Sequence, residues 1–442
     1  MPGRFGTDGI RGRVGADVDA PLALALGRAT GHLFGGPGRS VVLGRDTRRS
    51  GDMLSAALVA GLTSTGTEVV DLDVVTTPCL VHASADPRHA AGIMVSASHN
   101  PADDNGLKVV IGGRKADEQT EAELDRLIDE PGEIPTRDNA GLGRLRADPT
   151  AIEAYVRHLR DAAGDAFSGL RIGIDCANGS ASVIAPDLFR ALGAEVTVLF
   201  DAPNGTNIND GCGSTHPEVL GATVVAAELD LGLAFDGDAD RLIAVDELGG
   251  LVDGDAVMGI CALDRLAAGT LRNNIVVATV LSNVGLERTI TLAGGTLIRT
   301  PVGDRHVFEA MERSDAILGG EQSGHIIFRE RSTTGDGILT AIELVRALRA
   351  TDATLSQLAA TIPRLPQVML NSAVRQRDEW QQDAEFMAAV DRATRQMGDR
   401  GRVLVRPSGT EPTIRIMVEG DDAGEIDRIA RELATLAEAR LN

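Results

Sequence analysis

Residues 91–112 read AGIMVSASHNPADDNGLKVVIG. The apolar run into Val95 predicts a buried strand, and it stops at SASHNP and DDNG, which are turn formers. A hydroxyl is thereby presented at a strand end. Loops held at strand ends by a rigid sheet are where α/β proteins keep their chemistry, so Ser98, His99 and Lys108 are the first candidate catalytic residues. A polar loop with a capping serine would read the same way locally. Lysine usage separates the two readings. Of 43 Lys plus Arg residues only Lys108 and Lys115 are lysines, and arginine fills nearly every ordinary surface role. A compact ammonium whose pKa falls on burial can give and take a proton, whereas a guanidinium cannot. Lys115, in GGRKADE, is expected on a solvated turn.

Toward the amino terminus, FGTDGIRG (5–12) is dense in glycine and is expected to hold Arg11 in a loop that can approach a ligand closely. A helical pattern over 21–34, a strand at SVVLG (40–44), an Ala/Leu-rich helix over 51–65 and a strand at TEVVDLD lead into AGIMVS. This β-α-β alternation predicts a mainly parallel, helix-covered sheet, closed by a helix near 117–130. PGEIPTRDNAGLGRLRADP (131–149) is the clearest composition break. The same grammar restarts at LRIGIDC (170–176), with a helix over 179–192, a strand at EVTVLF, a helix over 216–228 and a strand pair around FDGDADR. A third round from 254 alternates helices with NIVVATV, GTLIRT and AILGG, ending in helices over 336–349 and 354–361. After PRLP (363–366) the chain reads β-α-β-β-α. The expected fold class is α/β, with three consecutive similar domains built on mainly parallel mixed sheets and a smaller α+β domain last. The expected boundaries give domains 1–148, 149–252, 253–364 and 365–442.

Composition narrows the functions. A chain of 442 residues suits roughly two to four domains, and 43% hydrophobic with 24% charged residues is a globular balance. Aromatics make up only 2%, so the cores must be aliphatic and base stacking has little to work with. A net charge of −21 repels nucleic acids and anionic membranes in bulk. Cys79, Cys176, Cys212 and Cys261 are dispersed, as suits reduced thiols, and the opening MPGRFGTDGIRG has no apolar signal core. A cytoplasmic location is expected.

FDGDADR (235–241) is the most specific local signal. In an extended or tightly turning segment Asp236, Asp238 and Asp240 point to one side, and converging carboxylates need a cation. Oxygen-only ligands favour Mg²⁺ or Ca²⁺ over zinc. An EF-hand, which Glu247 would complete at the twelfth position, fails because Arg241 stands where Gly is required and the flanks are strands. A solvated acidic turn is the bland alternative, against which LGLAF and LIAV bury the flanks. GGEQSGHIIF (319–328) puts Glu321, Ser323 and His325 on a Gly-rich loop suited to a polyhydroxylated ligand, although a capped turn would look alike. In RPSGTEPTIR (406–415), Arg406 and Arg415 flank a Ser-Gly-Thr turn that can form an anion nest. No Walker A motif and no G-x-S-x-G elbow occur, and adjacent Ser98 and His99 diverge too much for a triad.

FGTDGIRG, SASHNP, DGDADR, GGEQSGH and RPSGTEP, in this order, resemble the motifs of the α-D-phosphohexomutases over essentially the whole chain. Gln322, the opening FGTDGIRG and NINDGCGSTHP (207–217) point to the branch acting on glucosamine phosphate. Two departures are visible: Ala239 stands where the family usually has Gly, and Ala102–Asp103 replace an aromatic pair common after SHNP. The resemblance implies four domains around a central cleft, with Ser98 carrying a phosphoryl group. It implies interconversion of glucosamine 6-phosphate and glucosamine 1-phosphate through a phosphoserine enzyme and a bisphosphorylated sugar, serving amino-sugar nucleotide and cell-wall precursor synthesis. One Mg²⁺ per active site would be held by Asp236, Asp238, Asp240 and a phosphoserine oxygen at Ser98, and glucosamine or glucose 1,6-bisphosphate would prime the enzyme. Arg11 and Lys108 would sit beside the phosphoserine, with Lys108 as proton carrier and His325 as second candidate. Glu321 and Ser323 would hold sugar hydroxyls, while Arg406, Ser408, Gly409, Thr410 and Arg415 would grip the phosphate that is not reacting. The expected partner is a small phosphosugar, with no nucleic acid and no membrane, on a monomer or homodimer. A phosphoglucomutase or phosphomannomutase of the same family is the alternative, and a non-catalytic sugar-phosphate sensor a more distant one.

Overall fold

The apolar run that ends at Val95 is the strand His89–Val95, buried along its whole length. Strands covered on both faces must be apolar throughout, which is why this one is so plain in the sequence. The computed structural model describes residues 3–6, 8–36, 38–375, 377, 379–408 and 413–441. Among these, the first sheet has the order Ile10–Arg13, Asp104–Ile111, His89–Val95, Ser40–Arg45, Glu68–Val74, Leu145–Ala147, with Arg114–Lys115 paired to Asp104–Ile111.

The expected threefold repetition is one of topology. In each of three sheets the same four-strand unit recurs: its first strand is flanked by the next two in parallel, and the third is followed by an antiparallel fourth. These strands are Ser40–Arg45, Glu68–Val74, His89–Val95 and Asp104–Ile111 in the first sheet. They are Arg171–Asp175, Glu195–Leu199, Leu231–Phe235 and Leu242–Asp246 in the second. In the third they are Ile275–Thr279, Thr296–Thr300, Leu318–Gly320 and Ile326–Phe328. The last domain is an antiparallel sheet, Gln367–Ala373, Thr413–Gly420 and Gly401–Pro407, with the helices Ala384–Met397 and Ala423–Arg440. It meets the third domain where Arg402 Nη2 donates to the Val280 and Ser282 carbonyls at 2.9 and 3.2 Å and Arg288 pairs with Asp421 at 2.7 Å.

Several local expectations are corrected. Arg11 lies in the edge strand Ile10–Arg13 rather than in a loop, because Leu107, Gly106 and Asn105 supply a partner strand for that Gly-rich segment. Only Asp103 of DDNG is in a turn; Asp104–Ile111 is a strand, and the Asn105 side chain is satisfied by the Ser50 hydroxyl at 2.8 Å. The segment 179–192 breaks into the 3₁₀ turn Ser180–Val183 and the helix Ala185–Ala191, with Pro186 opening the latter. The helices Thr77–Ser84 and Thr150–Ala163 were not anticipated by periodicity. Cores are aliphatic as composition requires, and Tyr155, Phe167, Phe189, Phe235 and Phe328 are fully buried among the aliphatic side chains, while Phe5, Phe34, Phe200, Phe308 and Trp380 are only partly buried.

One buried carboxylate sets a stability signature. Asp255, 3% exposed near the start of the helix Gly254–Ala267, accepts the Asn283 N–H at 2.7 Å through Oδ2, while its Oδ1 finds no partner among the described residues. Burial, reinforced by Asp253, pushes its pKa up to about 7. Folding therefore favours the protonated form: the group is harmless below its unfolded pKa near 4, and stability is lost as pH rises through about 7. Asp255→Asn is expected to flatten this loss. Urea unfolding should show the variant gaining roughly 3–4 kcal/mol on the parent between pH 4 and pH 8.

Candidate active site

The three α/β sheets deliver equivalent loops to one place. The Ser98 loop, the aspartate loop and the Glu321–His325 loop each join the third strand of their sheet to the antiparallel fourth. Ser98 is fully buried at φ 52°, a left-handed conformation that costs a non-glycine residue about 1–3 kcal/mol and marks a held position. Its hydroxyl donates to Asp236 Oδ2 at 2.5 Å. Ser96 is engaged elsewhere: its Oγ donates to Asp46 at 2.6 Å and accepts the Ser98 N–H at 2.9 Å. Gly237 lets the two loops meet, since a Cβ there would come within 2.6 Å of the Ser98 carbonyl oxygen. Asn209, from the second domain, donates to the carbonyls of Ser98 and Asn100 at 2.9 and 3.1 Å.

Asp236, Asp238 and Asp240 are 0%, 0% and 2% exposed, so the acidic turn is not a solvated one. Their oxygens come within 4.8 Å of one another. Burial, then Asp240 and Asp238, pushes the Asp236 carboxyl well above the usual range. For Asp238 burial and Asp240 act upward, but the Lys108 ammonium and hydrogen bonds from Lys108 and Thr77 outweigh them and hold it below the usual range. Asp240 is held well below it, as Lys108 and His325 overcome burial. Lys108 Nζ lies 2.8 Å from Asp238, 3.3 Å from Asp8 and 3.7 Å from Asp240, and Thr77 Oγ1 donates to Asp238 Oδ2 at 2.5 Å. Asp238 Oδ1 and Asp240 Oδ1 are buried without any donor among the described residues. Such oxygens are costly unless a cation takes them, and three carboxylates with no imidazole or thiolate among them can hold a hard metal ion. The helix Gly337–Arg349 adds its positive end, the Gly337 N–H donating to the Ala239 carbonyl at 2.9 Å. Ala239 itself has φ 57°, a left-handed conformation that is strained for an alanine.

Lys115 is the clearest correction. It is not on a solvated turn: its side chain is 16% exposed and bridges Asp8 and Asp304. Those partners come from the opening loop and from the first turn of the helix Asp304–Ser314, which nothing near GGRKADE announces. Asp304 also faces His325 Nε2 at 3.6 Å, and His325 Nδ1 faces Asp240 at 3.5 Å. Although burial lowers the His325 pKa, these two carboxylates raise it overall. Nε2 additionally accepts the Gly335 N–H at 3.0 Å. His99 differs: burial, then Arg241 and Arg11, lowers its pKa to about 4, which makes it neutral at pH 7. Arg11 pairs with Asp8, and its buried Nε is left without a partner among the described residues. Asp8, Thr77, Asn209, Arg241 and Asp304 are thus residues of this cluster to which motif reading gave no role. Asp8, Asn209 and Arg241 lie inside quoted motifs and could have been found there.

Glu321 Oε1 accepts the Gly303 N–H at 3.1 Å and Oε2 accepts from Ser323 Oγ at 3.2 Å, so the two polar groups are adjacent. Arg406 and Arg415 are cross-strand neighbours in the last domain, and Arg415 Nη2 lies 3.5 Å from Ser408 Oγ. Burial, then Arg415, lowers the Arg406 pKa, and the buried Arg415 Nε has no partner among the described residues. Two facing guanidiniums of this kind suit an anion. Gly409 and Thr410 lie outside the described residues.

The chain matches the phosphoglucomutase/phosphomannomutase models for alpha/beta/alpha domain I over residues 2–134, domain II over 153–249, domain III over 253–365 and the C-terminal domain over 369–436. It is 50% identical to a phosphoglucosamine mutase of Symbiobacterium thermophilum over 100% of both chains, and 48% identical to one of Moorella thermoacetica over 98% of both. Among solved structures it is similar to a phosphoglucomutase/phosphomannomutase family protein of Burkholderia thailandensis, with TM-score 0.84, 29% identity and coverage of 99% and 98%. It shares its fold with the N-acetylphosphoglucosamine mutase of Aspergillus fumigatus solved with GlcNAc-6P and magnesium, with TM-score 0.71, 19% identity and coverage of 99% and 96%. The chain belongs to the phosphoglucomutase/phosphomannomutase family, the α-D-phosphohexomutases. It is an enzyme of the isomerase class that transfers a phosphoryl group within a sugar phosphate.

Proposed function

We propose that this protein interconverts glucosamine 6-phosphate and glucosamine 1-phosphate through phosphoserine at Ser98, in domains bounded at 148, 252 and 364. The observation that carries the reading is the Ser98 hydroxyl, held at a strand end and aimed at Asp236 at 2.5 Å inside a buried carboxylate cluster. Moving phosphate between two hydroxyls of one sugar is easiest if the enzyme holds a phosphoryl group in store. The sugar O1 attacks the phosphorus on Ser98, the bond from phosphorus to Ser98 Oγ breaks, and the O1 proton passes by way of Lys108 to the departing Oγ. The resulting 1,6-bisphosphate turns over in the cleft. Ser98 Oγ then attacks the phosphorus at position 6, its proton returns to the sugar O6, and glucosamine 1-phosphate leaves a rephosphorylated enzyme.

Lys108, on the strand that follows the Ser98 loop and 2.8 Å from Asp238, is assigned the proton transfer, and His325, which faces Asp240 and Asp304, is the second candidate. Asp236, Asp238 and Asp240 would hold Mg²⁺ together with a phosphoserine oxygen; when bound, the ion offsets charge on the phosphoryl oxygens. Glu321 and Ser323 bind sugar hydroxyls, and Arg406, Ser408 and Arg415, with Gly409 and Thr410, bind the distal phosphate. Among the described residues, the last domain docks on the third through polar contacts such as Arg402 to the Val280 carbonyl and Arg288 to Asp421, which suits the turning of the intermediate. A cytoplasmic location fits: among the described residues no helix is long and apolar enough to cross a membrane.

Substrate choice rests on the sugar's 2-position, an ammonium in glucosamine and a hydroxyl in glucose. A chain of net charge −21 favours the cation, and one such difference is worth roughly 1–3 kcal/mol, or about 10- to 200-fold. With the enzyme fully primed, kcat/KM is expected to be highest for glucosamine 6-phosphate, with weaker activity on glucose 6-phosphate. Equal or better values for glucose or mannose 6-phosphate would move the protein to a neighbouring specificity. Absence of turnover on all three would support a sensor.

A further inference from the structure

Both backbone polar groups of Ser98 are held, and one side chain outside the reacting groups closes the arrangement. Arg48, in GRDTRR (44–49), is 1% exposed. Its Nε donates to Asp46 Oδ2 at 2.9 Å. Nη1 donates to the carbonyls of Pro101 and Asp104, the latter at 3.0 Å, and Nη2 donates to those of Ser98 and Asn100 at 2.9 and 2.7 Å. Every guanidinium N–H is used, and the carbonyls of one loop converge on a single cation. Asp46 also accepts the Arg48 backbone N–H at 3.0 Å and the Ser96 hydroxyl at 2.6 Å, while Ser96 Oγ accepts the Ser98 N–H at 2.9 Å. The path Arg48, Asp46, Ser96, Ser98 is therefore a closed ring, entering Ser98 through its amide and leaving through its carbonyl.

We infer that Arg48 is a positioning residue for phosphoryl transfer, holding Ser98 in its left-handed conformation so that Oγ faces the carboxylate cluster. The inference rests on Ser98 being the phosphorylated residue. Without the ring, a serine at φ 52° relaxes toward an ordinary conformation and swings its hydroxyl away from Asp236. Asn209 reaches the carbonyls of Ser98 and Asn100 but not the amide side, so it cannot replace the ring. Lysine at this position keeps the charge but presents three donors from one point, which cannot span Asp46 and four carbonyls.

The test uses full-length Arg48→Lys and Ser96→Ala, primed with glucose 1,6-bisphosphate, with rates expressed per phosphorylated site. A misplacement near 1 Å costs about 10²-fold. Arg48→Lys is expected to lower kcat about 10²-fold with KM for glucosamine 6-phosphate within about twofold, and the single-turnover loss of phosphate from Ser98 should slow in the same proportion. Ser96→Ala, which opens the ring with less disturbance, is expected to lower kcat about 10-fold. A purely structural role would reduce the folded fraction and melting temperature while leaving the rate per phosphorylated site unchanged, and that result would overturn the inference. Should Arg48→Lys not fold, Ser96→Ala decides alone, and a parental kcat in it has the same consequence. Phosphate mapped in the parent to a residue other than Ser98 would instead sink the underlying reading, whatever the variants do.

Discussion

Ser98→Ala is expected to lower turnover by roughly 10⁴-fold or more, because the step it removes has no substitute in the cleft. The Ser98 hydroxyl faces Asp236, while the nearest other hydroxyl on the loop, Ser96, is tied to Asp46 and to the Ser98 amide. The fold should survive. Alanine meets the same left-handed backbone as serine, so the change adds little strain and its main cost is a lost hydrogen-bond donor to Asp236, about 1–3 kcal/mol. Circular dichroism and urea unfolding would establish this beside a steady-state assay. Activity above about 1% of the parent in a clean alanine variant would mean that phosphate is stored elsewhere.

Asp238→Asn is expected to be nearly as damaging, about 10²- to 10³-fold in kcat at a fixed Mg²⁺ concentration, with a much higher Mg²⁺ requirement. Asp238 has two tasks in the structure. Its Oδ2 takes Lys108 at 2.8 Å and Thr77 at 2.5 Å, and its Oδ1 is one of the buried oxygens left for a cation. Asparagine keeps the shape and removes the charge that serves both. Chelation of the parent should stop catalysis without changing its circular dichroism, and Mg²⁺ should restore it better than Ca²⁺, whose larger and looser coordination suits three close carboxylates less well. A fully chelated enzyme turning over at its normal rate would reassign the cluster to a structural role.

The parts of this molecule that were readable in advance are those whose cause is local. Buried strands such as Leu231–Phe235 and His89–Val95 must be apolar throughout, and the loops that end them must be polar, so their alternation exposes the α/β order. The aspartate loop was legible because three carboxylates between apolar strands have few uses. What was hidden depends on distant partners. Lys115 has the local look of a surface lysine, and only Asp8 and Asp304, brought in by other elements, bury its charge. Arg48 sits in a run of arginines, and the carbonyls that occupy it belong to a loop some fifty residues on. Asp104–Ile111 opens with residues that favour turns, yet tertiary pairing with Ile10–Arg13 and His89–Val95 makes it a strand. The helix Thr77–Ser84 has a Thr76 cap and an early proline but spans too few turns for its periodicity to stand out.

The central claim is that one phosphoryl group resides on Ser98 and passes through the sugar in each cycle. It is tested most directly by priming the enzyme with isotopically labelled bisphosphate, mapping the labelled peptide, and adding glucosamine 6-phosphate in a single turnover. The account predicts label on Ser98 and not on Ser96, released into the sugar bisphosphate at a rate no slower than kcat. Label on Ser96 or on another residue, or label that stays on the protein while glucosamine 1-phosphate accumulates, would contradict it.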